Sequence, residues 1–221
     1  MLADVRLTER LGDRVKAADF DLSRDMKFNL KTGITTFQSS RLVIFDANAI
    51  GLLRQKIIDM VGRDKARELF LKFGYQNGYS DFVQMKLAYQ FDSETELLAA
   101  GPVIHTWEGL VQATPKGLHF DRKTGQFFFP GVWKNSYEAE QHLCFNKSGE
   151  EPVCWTLMGY ASGWCTAFFG KRVLAIEPMC VGKGDDHCEF MIQPEAAWGK
   201  EAAPYIEAYK EFAVWQETDG A

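Results

Sequence analysis

The 221-residue sequence predicts an α+β fold in which helices pack against an antiparallel sheet. Two patterns carry this prediction. Apolar residues recur at helical spacing over residues 46–101 and again over 151–169. Between these regions, and after residue 172, short alternating segments separated by turn residues are typical of strands. Hydrophobic residues make up 46% of the chain, which is enough to build a full core.

The predicted helices begin at recognisable capping residues. Asp46 can cap a helix, and Ser93 with Glu96 forms a capping box for a short helix that we expect to end at Gly101-Pro102. Glu151-Pro152 opens a long apolar helix, since proline is tolerated in the first turn. The predicted helices cover residues 46–61, a segment from 64 onwards with Ala66, Leu69, Phe70 and Phe73 on one face, and then 93–101, 136–145, 151–169 and 203–215.

Strands are predicted where the spacing changes from helical to alternating. Val103–Ala113 is the first long one, and it places His105 on a strand. Leu118–Arg122 and Gln126–Trp133 are expected to pair across a hairpin turn. Further strands are predicted over 41–45, 172–179 and 188–192. Residues 1–40 are polar and weakly periodic, and we interpret them as an N-terminal arm that needs a partner surface, such as a second subunit.

Charge and composition exclude several classes of function. The net charge of -5 and the lack of a basic stripe argue against nucleic-acid binding by this segment. The N-terminus has no signal-peptide character and no apolar run approaches the ~18 residues of a membrane span, so we expect a cytoplasmic protein without membrane contact. The sequence contains no Gly-x-Ser-x-Gly elbow and no Gly-rich phosphate loop, and we expect no catalytic site.

A cysteine pattern indicates a metal site. Cys180 and Cys188 flank a Gly-rich acidic loop that can bring both sulfurs to one point, as in a zinc knuckle. Cys154, in the first turn of the long helix, is a candidate third ligand, and Glu177 could supply an oxygen. Cys165 lies ~16 Å further along the same helix and cannot reach the same ion. Three thiolates and one carboxylate would close the site, so the metal would be structural. The alternative is that these cysteines are small buried hydrophobes.

Aromatic residues accompany two polar side chains. His105 and Trp133 could together clamp a hydroxyl group, with the imidazole accepting or donating a hydrogen bond and the indole N–H donating one. The surrounding ring walls would come from Phe128, Tyr160, Trp164 and Phe168. The last three share one helix face because they recur every fourth residue. The alternatives are a core histidine satisfied by its neighbours and plain core packing of the aromatic stripe.

Several of these motifs resemble one known family. The stretch PVCWTLMGYASG at residues 152–163, followed by the Glu177, Cys180 and Cys188 pattern, resembles the sensory domain of the XylR/DmpR group of sigma-54-dependent activators of aromatic catabolism. The segments FGYQNG at 73–78, AGP at 100–102 and SRL at 40–42 also fit. The resemblance covers roughly residues 25 to 200.

The resemblance implies a domain order and a cofactor. It implies a dimerisation arm over 1–40, an aromatic-sensor region over 41–135, a vinyl-reductase-like region with zinc over 136–200, and a C-terminal helix over 201–221 that leads to a linker. Zinc would be held by Cys154, Glu177, Cys180 and Cys188 in a homodimer. Effector binding would relieve repression of a downstream ATPase domain. We expect that domain and the DNA-binding domain beyond Ala221, because neither motif occurs in the sequence.

The resemblance also implies an effector class. Phenol-responsive members place a histidine and a tryptophan on the effector hydroxyl, and these match His105 and Trp133. We therefore expect phenol or simple substituted phenols, because a buried histidine facing a hydrocarbon is penalised by ~1–3 kcal/mol. Trp164, Gly131 and Lys183 depart from the family pattern, and the first two leave the pocket size open. The alternatives are a sensor of toluene or xylene, a zinc enzyme acting on aromatics, and an assembly scaffold.

Overall fold

The fold was obtained as a computed structural model, which describes residues 14–210. Helices and antiparallel strands are mixed along the chain, as predicted. The helices are α1 (Leu22–Asp25), α2 (Ala47–Val61), α3 (Arg63–Ala88), α4 (Glu94–Trp107), α5 (Tyr137–Phe145), α6 (Trp155–Phe169) and α7 (Ala203–Ala208). The strands are β1 (Arg14–Val15), β2 (Met26–Asn29), β3 (Ile34–Phe37), β4 (Ser40–Leu42), β5 (Gln90–Phe91), β6 (Gln112–Pro115), β7 (His119–Asp121), β8 (Gln126–Lys134), β9 (Val173–Met179) and β10 (Cys188–Pro194).

The main sheet has the strand order β6-β8-β10-β9, with β7 paired to the other half of β8. All of these pairs are antiparallel. The predicted hairpin of β7 and β8 is confirmed, and its turn contains Gly125 at φ 80°, a backbone conformation that favours glycine. A second antiparallel sheet contains β2, β3 and β4, whereas β1 and β5 form a two-residue parallel pair.

The long helices α3 and α6 pack at backbone distance because glycines face one another across the contact. A Cβ added at Gly74 would lie 2.2 Å from the Thr156 carbonyl oxygen, and one at Gly163 would lie 2.0 Å from the Tyr75 carbonyl oxygen. Gly78 and Gly159 occupy the same kind of position. Small residues four apart on both helices therefore allow this approach. The FGYQNG segment and the glycines of the 152–163 stretch thus have a packing role.

The predicted strand at Val103–Ala113 is wrong, because α4 continues from its Ser93 cap through Trp107. Pro102 has no N–H for the Leu98 carbonyl, and a proline inside a helix normally ends or kinks it. Here the indole Nε1 of Trp164 donates to that carbonyl oxygen at 3.1 Å. The orphaned acceptor is thereby satisfied from a neighbouring helix, and His105 lies on a helix instead of a strand.

Other predicted boundaries and faces also shift. The long helix starts at Trp155, so Cys154 is its N-cap residue and not part of the first turn. On α3 the expected apolar face is wrong at Leu69 and Phe73, which are 51% and 65% exposed. The strand predicted at 41–45 ends at Leu42.

The ends of the chain lie partly outside the described residues. The part of the predicted N-terminal arm at 1–13 and the part of the 203–215 helix beyond residue 210 fall there. Across residues 14–210, no helix is both long enough and apolar enough to pass through a membrane.

Candidate functional site

The predicted ligand residues Cys154, Glu177, Cys180 and Cys188 come together in one buried group, called the metal cluster below. Their potential ligand atoms all lie within 4.8 Å of one another. The Sγ atoms of Cys154 and Cys180 are 4.0 Å apart. Four thiolate or carboxylate ligands at about 2.0–2.3 Å from one ion require spacings of this size. The arrangement can therefore hold a metal ion.

Local sequence shapes the loop that carries two of these ligands. The backbone N–H groups of Lys183 and Asp185 donate to the Cys180 carbonyl oxygen at 2.9 and 3.1 Å, which turns the chain back on itself. Gly184 completes the turn at φ 100°. The Asp185 carboxylate accepts from the Cys180 N–H at 2.8 Å, and the Cys188 sulfur accepts from the Val181 N–H at 3.3 Å. The acidic loop thus fixes both sulfurs.

The electrostatics of the metal cluster favour a bound cation. Burial raises the pKa of Glu177 well above its usual range, and the nearby Cys180 charge adds to this. Burial likewise raises the pKa of the Cys154 thiol. Hydrogen bonds from the Cys154 and Cys188 thiols lower the pKa of Cys180 to about 2. Glu177 Oε1 is buried with no hydrogen-bond partner among the described residues. A divalent ion would satisfy this oxygen and stabilise the negative charges together.

A buried ion pair supports the same end of α6. Arg54 on α2 lies 3.7 Å from Glu138 on α5, and its Nη2 donates to the Val153 carbonyl oxygen at 2.9 Å. Glu138 accepts from the Thr156 hydroxyl at 2.9 Å and from the Leu157 N–H at 3.1 Å. The carboxylate thus caps the start of α6, where negative charge is favoured. Sequence reasoning missed both charged residues, because their burial depends on elements far apart in the chain.

The second site is a small cavity between α4, α6 and the main sheet, called the aromatic cavity below. Four of the six predicted effector-site residues line it, namely His105, Trp133, Tyr160 and Trp164. The His105 and Tyr160 rings stack with centroids 4.0 Å apart. The remaining lining residues are Gly101, Pro102, Ala113, Phe129, Ala161, Cys165, Phe190 and Ile192.

The structure places two predicted wall residues elsewhere. Phe128 is 40% exposed because side chains alternate along β8, so Phe127 and Phe129 point inward instead. Phe168 is buried but packs edge-on against Phe82 and Phe120, outside the aromatic cavity. The prediction for Phe128 is therefore wrong. The alternation of β8 was the signal that could have identified Phe129.

Unpaired polar atoms lie at the aromatic cavity and behind it. His105 Nε2 and the Tyr160 hydroxyl are buried and have no hydrogen-bond partner within residues 14–210. Burial lowers the pKa of His105 to about 3, so the imidazole is neutral at physiological pH. Behind Tyr160, the Asp81 and Glu108 carboxyl groups each contain a buried oxygen without a partner. Polar groups left unpaired in this way are costly, and they often mark binding sites.

The aromatic cavity is small in this structure. Its volume is about 30 Å³, which is room for a water molecule or two rather than an aromatic ring. The ring of Phe190 stacks on Trp133 with centroids 5.0 Å apart, and it lies directly over Gly131. Side chains must therefore move before a ring can enter.

The metal cluster and the aromatic cavity share their structural elements. Cys188 at the start of β10 pairs in register with Trp133 on β8. Cys154 caps α6, which carries Tyr160 and Trp164 one and two turns further along the cavity wall. An ion at the metal cluster would thus hold two walls of the aromatic cavity together.

Comparison with known proteins places this site in a family. Residues 21–121 match the family described as activator of aromatic catabolism, and residues 133–194 match the vinyl-reductase domain family. The phenol regulator MopR of Acinetobacter guillouiae is 32% identical over 196 residues, which cover 88% of this chain and 35% of MopR. The transcriptional regulatory protein XylR of Pseudomonas putida is 31% identical over 191 residues, which cover 86% of this chain and 33% of XylR.

A solved structure extends the match to three dimensions. The crystal structure of the phenol-responsive sensory domain of the transcription activator PoxR with phenol superposes with a TM-score of 0.79 at 31% identity, covering 85% of this chain and 93% of that one. The chain belongs to the family of sensory domains found in XylR-type activators of aromatic catabolism. It spans about a third of the length of the MopR and XylR proteins. These relatives are regulators, in agreement with the expectation that the chain is not an enzyme.

Proposed function

We propose that this chain is the effector-binding regulatory domain of a sigma-54-dependent transcriptional activator and that it senses phenol or simple substituted phenols. The observation that carries the proposal is the unpaired Nε2 of buried His105 in a cavity that Trp133 also lines. The names of the MopR and PoxR relatives support phenol as the effector class.

A phenol hydroxyl matches both polar groups. Neutral His105 can accept the phenol O–H at Nε2, and the indole N–H of Trp133 can donate to the phenol oxygen. The remaining lining is apolar or aromatic and suits the ring. Toluene would leave Nε2 buried and unpaired, at a cost of about 1–3 kcal/mol.

Zinc is the ion that we propose for the metal cluster. Three cysteine sulfurs and one carboxylate oxygen in a closed, buried set are typical of structural zinc. When bound, zinc would neutralise the cluster and stabilise the junction of α6, β9 and β10. Metal analysis of purified protein should find one zinc per chain. A preparation that is fully folded without any metal would contradict this assignment.

The signal would arise from the change in cavity size. A ring that needs more than 30 Å³ binds best to an arrangement in which the walls on α4, α6 and β8 have moved apart, so effector binding shifts the population toward that arrangement. The C-terminal segment from Ala203 would carry the shift to downstream ATPase and DNA-binding domains in a longer cytoplasmic protein. This segment itself would make no contact with DNA or membrane.

A homodimer is part of the proposal. The N-terminal region exposes apolar side chains that a monomer leaves in water, and Val43, Ile44 and Phe45 are each about two-thirds exposed or more. Met60 on α2 is exposed as well. We retain the four-part division of the chain at residues 40, 135 and 200 as a working description of arm, sensor, zinc region and exit helix.

The first test is calorimetric titration of the zinc-loaded chain with phenol, using toluene as the matched control. Saturable phenol binding with a much weaker response to toluene is the expected result. A preference for toluene would replace the effector class by non-hydroxylated aromatics. Turnover of phenol would point to a zinc enzyme, and binding of neither compound would favour an assembly scaffold.

A further inference from the structure

A second, larger cavity opens on the surface beside the aromatic cavity, and we call it the outer cavity. Its volume is about 390 Å³, and it is lined by Pro102, Val103, Thr106, Trp107 and Ala113. Pro102 and Ala113 also line the aromatic cavity. The two cavities are therefore separated by the same two side chains, one from α4 and one from β6.

One hydroxyl closes the boundary between the two cavities. Thr106 Oγ1 donates to the Pro102 carbonyl oxygen at 2.8 Å and accepts from the Ala113 N–H at 3.3 Å. It thus ties together the two residues that separate the cavities. The boundary is thin in side-chain volume, since alanine and proline cannot fill it as larger residues would. Opening it would break these hydrogen bonds between α4 and β6.

The outer cavity suits a small uncharged aromatic molecule. None of its five lining residues is charged, and four of them are apolar or aromatic. Trp107 is 44% exposed, and its Nε1 donates to the Phe20 carbonyl oxygen at 3.0 Å. This hydrogen bond fixes the indole, which leaves a rigid ring surface on which an aromatic molecule can stack.

We propose that the outer cavity is a port site, in which a neutral phenol binds weakly before it passes between Pro102 and Ala113 into the aromatic cavity. The inference rests on the proposed function and adds the route to it. A route of this kind is needed because the effector site is enclosed by α4, α6 and the sheet. The Thr106 hydroxyl would set the rate of passage, while His105 and Trp133 would set the affinity.

The port is tested by obstruction with Val103→Trp in the zinc-loaded chain. Val103 lines the outer cavity and not the aromatic cavity, so the larger side chain blocks the route without changing the bound state. Stopped-flow fluorescence should show phenol association and dissociation slowed together by roughly fivefold or more, with Kd within about twofold of wild type. Val103→Ile, which adds little bulk, is the matched control and should leave both rates unchanged.

A second variant opens the boundary. Thr106→Val keeps the shape but removes the hydroxyl, and it should raise both phenol rates by about fivefold with Kd little changed. Thr106→Ser keeps the hydroxyl and should behave as wild type. Thermal unfolding of each variant confirms that it is folded.

The outcomes separate the port from the sensor. If wild type binds phenol at equilibrium but both rates are the same in Val103→Trp and Thr106→Val as in wild type, the port is wrong and the sensor stands. A change in Kd that arises from dissociation alone would also overturn the port, because it would assign these residues to the bound state. If wild type binds no phenol, the proposed function fails and the port fails with it.

Discussion

The metal cluster and the aromatic cavity are built in opposite ways although they share α6 and the sheet. Three of the four cluster ligands lie within residues 177–188, and the fourth caps α6. The cavity lining comes from α4, α6, β6, β8 and β10, and its central polar atom has no partner among the described residues. One site is local, tight and complete apart from an ion. The other is assembled from distant segments and has polar groups that a ligand would satisfy.

This contrast suggests a division of labour. The metal cluster holds the ends of α6, β9 and β10 together, while the cavity walls further along these elements can separate. Rigid framing on one side of a deformable pocket lets a small ligand bias the arrangement of whole helices. Changes at the two regions should therefore have different signatures, large in stability for the first and large in ligand preference for the second.

The largest effect is expected from loss of the metal cluster. Cys180→Ser should abolish stoichiometric metal binding and lower the free energy of unfolding by several kcal/mol, because Glu177 would remain buried without a cation. Thermal unfolding and metal analysis measure both. Cys144 is exposed and outside the cluster, so Cys144→Ser is the matched control. Equal stability of the two variants would contradict a structural metal.

A change on α6 that touches neither site's polar atoms should affect both regions. Gly163→Ala places a methyl group 2.0 Å from the Tyr75 carbonyl oxygen and must push α3 and α6 apart. A loss of about 1–3 kcal/mol in unfolding free energy is expected, together with weaker phenol binding. Gly149→Ala adds a methyl group where nothing lies within 4 Å and should be nearly neutral. Denaturant unfolding decides, and a neutral Gly163→Ala would show that the helix contact is adaptable.

The acidic pair behind Tyr160 should make stability depend on pH. Burial, with the Asp81 charge second, raises the pKa of Glu108 to about 8, and burial raises the pKa of Asp81 to about 6. The folded state then holds protons that the unfolded state has released, so this contribution to stability is lost as pH rises from about 4 to 8. Glu108→Gln should reduce that loss.

The measurement is the free energy of unfolding at pH 5 and pH 8, with Glu140→Gln at an exposed glutamate as the control. His105 acts in the opposite sense, because its lowered pKa removes stability only as pH falls below about 6.5 toward 3. An unchanged difference between pH 5 and pH 8 in Glu108→Gln would show that Glu108 does not titrate in this range.

The smallest effect comes from a pair of neighbouring phenylalanines. Phe129→Ala removes a cavity wall and should weaken phenol binding roughly tenfold, whereas Phe128→Ala on the outer face should change Kd by less than about twofold. Calorimetric titration compares them directly. Equal losses would mean that the inward face of β8 changes when the ligand binds.

The sequence could predict the metal cluster in full but the aromatic cavity only in part, and the reason is physical. Cys180 and Cys188 are joined by a short turn whose geometry is encoded locally, so their spacing alone brings the sulfurs together. His105 lies on a helix because Trp164, far away in the chain, satisfies the carbonyl that Pro102 leaves open. Such a tertiary hydrogen bond cannot be inferred from local propensity. Phe190 and Ile192 enter the lining only through the pairing of β10 with β8.

The family resemblance supplied what local patterns could not. The pairing of His105 with Trp133 on one ligand was strengthened by the resemblance, and the structure places both side chains on one cavity although the predicted strand around His105 was wrong. The buried Arg54 and Glu138 pair had no signal in either source.

The most direct test of the account compares phenol and toluene affinities in wild type and in His105→Leu. If the unpaired Nε2 of His105 recognises the hydroxyl, wild type should prefer phenol by roughly tenfold or more, and the variant should lose that preference while still binding toluene. If His105→Leu keeps the wild-type preference for phenol, another group recognises the hydroxyl and the central claim is wrong.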